Sequence, residues 1–157
     1  MELFRNPSEA EIEQLLRRVH KIAVVGLSPK ASRPSYQVAA QMQAFGYRII
    51  PVRPAVESVL GEKAFATLMD VSEKIDLVNV FRAPEHVDAL VEECMVLRGR
   101  TDTAGHATQP YPWALWLQDG VMNEPAARRA REAGMTVVMN RCVYRDYLRF
   151  FGPARRP

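Results

Sequence analysis

The sequence predicts an α/β fold, a doubly wound and mostly parallel sheet of about five or six strands flanked by helices. Short apolar runs rich in β-branched residues recur along the chain, at "IAVVG", "YRIIPV", "IDLVNVF", "WALWL" and "MTVVMN". Unbroken runs of this kind are how strands buried on both faces look. Between them, apolar residues repeat at helical spacing, the alternation expected of a parallel sheet with crossover helices. The first run also stops at one glycine, and a polar loop then leads into a new helix, the layout of a nucleotide-binding turn.

The elements follow in order. Ser8 and Glu11 form a capping box, and Ile12, Leu15, Leu16 and Val19 keep a helical period, so residues 9–19 read as an amphipathic helix. Residues 22–26 make the first strand. From Pro34 to Phe45 the apolar positions Val38, Ala39, Met42 and Phe45 predict the first crossover helix, with Pro34 in its first turn and Gly46 at its end. Residues 47–52 make a second strand, in which Pro51 lacks a ladder donor and argues for a strand end or a local irregularity. A weaker third strand is expected around Lys63 to Ala66. Residues 75–81 form the next buried strand, and Val87, Leu90, Val91 and Cys94 share one face of the helix after it. A strand at about 113–118, a helix from an Asn123 cap to Ala133, a strand in "MTVVMN" and a short helix near 143–150 complete the chain. The stretch 98–112, rich in turn formers, reads as a surface insertion entering the N-terminal end of a strand, remote from ligands that bind at C-terminal strand ends.

With 157 residues, 48% of them hydrophobic, the chain can bury a core as a single domain spanning 1–157. Cys94 and Cys142 lack the C-x-x-C spacing of a zinc or redox motif and cannot build a disulfide framework. Neither a secretory leader nor an apolar stretch of about 20 residues is visible, so a cytoplasmic location is expected. The net charge of +3 is uneven, because residues 121–157 hold 8 Lys and Arg against 3 Asp and Glu. That excess suits a phosphate-bearing ligand as well as nucleic acid, and equally a solvated helix face.

In a doubly wound sheet the binding crevice lies where the strand order reverses, here between the loops after Gly26 and after Phe81. The first loop offers Gly26, Ser28, Pro29, Lys30, Arg33, Pro34 and Ser35 just ahead of a helix, where free N–H groups and the helix dipole favour a phosphate. Gly26 permits close backbone approach, the hydroxyls can donate to phosphate oxygens, and Arg33 can bind them through two donors at once. Of the dinucleotide fingerprint G-x-G-x-x-G only the first glycine is present, which is weak evidence for NAD. After the second strand, where NAD-selective proteins place an acidic residue, this chain has Arg53, which suits the phosphorylated ribose of NADP or coenzyme A. Phe81, Arg82 and Pro84 provide the opposite wall, although Phe81 can equally be core and Arg82 a surface residue. Residues 118–121 and 140–142 fall at further C-terminal strand ends.

The stretches "IAVVGLSPKASRPSYQVA", "GYRIIPVRP", "LGEKAFATLMD", "IDLVNVFRAPEHV" and "ALWLQDGVMNEPAARRAREAGMTVVMNRC" resemble, in combination, the small stand-alone CoA-binding domain proteins of bacteria, the YccU-like group. That group is related to the CoA-binding domain of the succinyl-CoA synthetase α subunit. The resemblance covers most of residues 20–145 and implies a Rossmann-like fold holding coenzyme A, or an acyl-CoA, across the strand ends. By position, the loop from Gly26 to Ser35 would cradle phosphates, Arg53 would lie near the phosphorylated ribose or adenine, and Phe81, Arg82 and Pro84 would face them. The insertion at 98–112 departs from compact members, and Asp119 adds a negative charge near the crevice.

For catalysis the chain offers little. His20 and His106 lie away from the proposed site and His86 opens a helix near it, while Cys142, after Asn140-Arg141, is either an activated thiol or a buried core residue. No Ser/His/Asp arrangement or metal cluster stands out, so the chain reads as a binding module with no catalysis of its own and no bound metal. The alternative is an NADP-dependent oxidoreductase using the same crevice. The expected partner is a small nucleotide ligand rather than a membrane or nucleic acid, since the basic segment lacks interleaved aromatics. A homo-oligomer is compatible with these features.

Overall fold

The computed structural model describes residues 3–101 and 110–156. Five parallel strands, β1 (Lys21–Val25), β2 (Arg48–Val52), β5 (Leu77–Val80), β6 (Ala114–Leu117) and β7 (Thr136–Met139), stand in the order β2-β1-β5-β6-β7. A two-stranded hairpin, β3 (Ser58–Val59) and β4 (Glu62–Lys63), sits apart from them. Helices α1 (Glu9–Arg18), α2 (Pro34–Ala44) and α5 (Val143–Phe151) pack on one face, and α3 (Val87–Thr101) and α4 (Glu124–Glu132) on the other. The predicted doubly wound parallel sheet is therefore observed, with five strands and a Rossmann-like order reversal between β1 and β5.

Each strand divides its side chains between two cores because successive residues point to opposite faces. Ala23 and Val25 of β1, Val78 and Val80 of β5, and Leu115 and Leu117 of β6 meet α3 and α4, which contribute Val87, Val91, Cys94, Ala126, Ala127 and Ala130. Ile22, Val24, Leu77 and Trp116 face α1, α2 and α5, which bring Ile12, Leu16, Met42, Val143 and Tyr147. Trp116 is fully buried, and its indole N–H finds the carbonyl of Arg141 at 2.8 Å, so its burial leaves no polar atom orphaned. Burial pushes the Cys94 thiol up to about 12, which makes it an inert core residue.

The third strand expected at Lys63 to Ala66 is split: Lys63 ends β4 of the hairpin, and Phe65 makes one parallel bridge to Val52. Phe65 N–H donates to the Pro51 carbonyl at 3.0 Å and Arg53 N–H donates to the Phe65 carbonyl at 2.8 Å. Pro51 thus turns its donor-less side to the sheet edge, where a proline removes no bond from the β1 ladder. The insertion expected at 98–112 also needs correction. Arg98 to Thr101 continue α3, because the Arg98 guanidinium donates to the carbonyls of Pro112 (2.7 Å) and Ala133 (3.1 Å) and so ties the helix end to the start of β6. Residues 102–109 lie outside the described residues.

The basic C-terminal end turns back onto the fold. The Arg156 guanidinium donates to the carbonyls of Val19 and Arg17 at the end of α1, and Arg155 reaches the Ala44 carbonyl closing α2. These cations meet the negative ends of two helix dipoles. Among the described residues no helix is long and apolar enough to cross a membrane.

Candidate functional site

A cleft of about 810 Å³ opens at the C-terminal ends of β2, β1, β5 and β6. Such a volume lies in the usual range for cofactor sites. It contains every residue the sequence singles out for binding, contributed by three loops. The loop after β1 supplies Gly26, Ser28, Pro29, Lys30, Arg33, Pro34 and Ser35; the loop after β2 supplies Arg53; the loop after β5 supplies Phe81, Arg82 and Pro84. The loop after β6 adds Gln118 and Asp119.

Gly26 is fixed by the neighbouring loop. Its φ is +86°, and a Cβ there would stand 2.5 Å from the Phe81 carbonyl oxygen. Only glycine permits both the left-handed conformation and that approach. Phe81 N–H donates to the Val25 carbonyl at 2.9 Å and Gly26 N–H to the Val52 carbonyl at 2.9 Å, so three strand ends are locked side by side.

The two serines hold the loop in shape. Ser28 N–H donates to Ser35 Oγ at 2.9 Å, and Lys30 N–H donates to Ser28 Oγ at 3.1 Å. Both side chains are buried, Ser28 at 6% and Ser35 at 7% exposure. Each oxygen thus accepts one bond within the turn, and each hydroxyl proton remains free to be donated to a ligand.

Helix α2 then starts at an Arg33 N-cap whose side chain makes no capping bond, with Pro34 in the first turn. The first turn of a helix leaves its N–H groups without intrahelical partners and carries the positive end of the dipole. Lys30 and Arg33 are exposed beside it. Arg53, a residue of the cleft lining, touches the Gly26 carbonyl with one nitrogen at 3.4 Å, which leaves most of its five donors unused. The opposite wall is braced from α4, where Asn123 Nδ2 donates to the Pro84 carbonyl at 3.2 Å.

Asp119 lines the cleft with its negative charge partly offset by a neighbouring cation. Its carboxylate is paired with Arg145 at 2.7 Å. Cys142 is 7% exposed and does not line the cleft. The adjacent Arg141 guanidinium is bound by Asp146 through two hydrogen bonds, at 2.7 and 2.9 Å, which raise its pKa. His86 is exposed in the single turn before α3 and His20 lies at the other end of the sheet, so neither reaches the cleft; His106 lies outside the described residues. Among the described residues no three or more His, Cys, Asp or Glu side chains are grouped to hold a metal ion.

Gln118 belongs to the loop 118–121 that the sequence places at a further C-terminal strand end, and it lines the cleft. It is 4% exposed, and its Oε1 accepts from Asn79 Nδ2 at 3.1 Å and from Val143 N–H at 3.2 Å. Its place one residue past the β6 run is what marks it in the sequence.

Residues 20–147 match the family model described as CoA binding domain. The chain belongs to this CoA-binding domain family. Its similarity to the uncharacterized protein YneT of Bacillus subtilis (strain 168) reaches 40% identity over 139 residues, covering 88% of this chain and 93% of that one. The solved structure of a hypothetical protein from Pyrococcus horikoshii OT3 superposes with a TM-score of 0.80 at 32% identity, covering 97% of this chain and 100% of the other. A shorter stretch of 73 residues is 26% identical to an ADP-forming acetate–CoA ligase of Methanocaldococcus jannaschii, 46% of this chain but 10% of the ligase.

Proposed function

We propose that the cleft binds coenzyme A or an acyl-CoA, and that the chain acts as a binding module without catalysis of its own. The observation carrying this reading is the convergence of the uncapped α2 start with Lys30, Arg33, Arg53 and Arg82 on one cleft, while its one carboxylate, Asp119, is partly offset by Arg145. A polyanion with phosphates at two separate places suits such a cleft. The pyrophosphate would meet the α2 N-terminus and Arg33, and the phosphate on the ribose would meet Arg53 at the β2 end. Membership of the CoA-binding domain family supports the same ligand.

Calorimetric titration with CoA, acetyl-CoA, dephospho-CoA, NADP and NAD tests the reading. CoA and acetyl-CoA should bind, and dephospho-CoA, lacking the ribose phosphate, should bind more weakly by about 1 to 3 kcal/mol. Tight binding of NADP with none of CoA would replace the proposal by the oxidoreductase alternative.

A further inference from the structure

The cleft is not uniform along its length. Its β2 and β1 end carries Arg53, Lys30 and Arg33, whereas its β6 end presents Val121, the Arg145-paired Asp119 and one buried amide, Gln118. The orientation of that amide is dictated by its neighbours. The Val143 backbone N–H can only donate, so the side-chain atom facing it at 3.2 Å must be the oxygen. Asn79 Nδ2 approaches the same oxygen at 3.1 Å, and the Asn79 amide is itself held by the Trp116 carbonyl at 3.3 Å. The Gln118 backbone is also engaged, N–H to Val80 and carbonyl from Val121. What remains is the Nε2 amino group, a donor without a partner among the described residues, on a side chain lining the cleft. This amino group is not sealed in the core but opens onto the cleft, where a ligand acceptor can meet it.

Resting on the proposed CoA reading, we infer that Gln118 is a specificity-determining residue whose Nε2 donates to an amide carbonyl of the pantetheine arm. Two strand spacings separate the β1 loop from the β6 end, about 10 Å. The second amide carbonyl of an extended pantetheine lies about as far from the pyrophosphate, so a ligand anchored by its phosphates at α2 brings that carbonyl to Gln118. The β6 end suits this uncharged arm and gives no grip on another phosphate.

The test compares CoA with adenosine 3′-phosphate 5′-diphosphate, which is the same nucleotide without pantetheine, on wild type and on Gln118→Glu at pH 8. The Glu variant keeps an oxygen for Asn79 and Val143 but replaces the donor by a carboxylate oxygen. Its affinity for CoA should fall about tenfold, while the pantetheine-free nucleotide changes less than about threefold at physiological ionic strength. The Gln118→Met variant, which removes donor and acceptor together, should show the same selective loss along with a lower Tm. An unchanged ratio between the two ligands in folded Gln118→Glu overturns the inference while leaving CoA binding intact. Equal affinity of wild type for both ligands does the same. Failure of wild type to bind either ligand removes the CoA reading, and this inference with it.

Discussion

At the N-terminal ends of the strands, the buried carboxylate of Asp76 accepts from His20 N–H, Lys21 N–H and the Trp113 indole at 2.8 to 3.0 Å, and its backbone carbonyl takes two further N–H groups from Trp113 and Ala114. Arg98 and Thr101 close the same end against residues 110–112. At the C-terminal ends of the same strands the inventory is different: a helix start without a side-chain cap, an Arg53 with most donors unused, and a Gln118 amino group facing open space. One end satisfies its polar groups internally, and that supports stability. The other leaves donors directed at a cleft, and that is what a polyanionic ligand requires. The two ends should therefore respond to mutation in separable ways.

The largest effect is expected from Asp76→Ala, which strips three donors of their acceptor. Urea unfolding should show a loss of about 3 to 5 kcal/mol, with CoA affinity of the remaining folded protein unchanged. Gly26→Ala, at the cleft end, combines both kinds of response, since a Cβ at φ +86° would press on the Phe81 carbonyl. It should cost about 2 to 4 kcal/mol of stability and also weaken CoA, because the Phe81 wall has to move. Arg33→Ala should leave stability within about 0.5 kcal/mol and weaken CoA by about 1 to 3 kcal/mol by calorimetry, the reverse of the Asp76 pattern. The smallest effect belongs to Arg145→Ala. Releasing Asp119 from its half-exposed pair should weaken CoA by less than about 1 kcal/mol, and the difference should shrink in high salt.

The sequence made the sheet legible because strands buried on both faces give unbroken apolar runs, and the capping box at Ser8 and the Asn123 cap use local bonds that spacing reveals. The hairpin Ser58–Val59 with Glu62–Lys63 was hidden because its turn places Leu60 at φ 56° and Gly61 at φ +76° without the Asn-Gly signal that marks such turns. The members of the cleft could be listed from loop positions, since strand ends in one sheet necessarily meet. Their chemistry was less visible. The serine oxygens are engaged inside the turn, the charge of Asp119 is partly offset from α5, and the free donor of Gln118 exists only because Asn79 and Val143 hold its oxygen. Each of these depends on partners distant in sequence or on loop geometry, which local pattern does not encode.

A crystal structure of the CoA complex tests the central claim most directly. The account predicts a pyrophosphate oxygen within hydrogen-bonding distance of the Ser35 or Tyr36 backbone N–H at the start of α2, with Arg33 alongside and the ribose phosphate toward Arg53. CoA bound elsewhere, or with its pyrophosphate away from the α2 N-terminus, would contradict it.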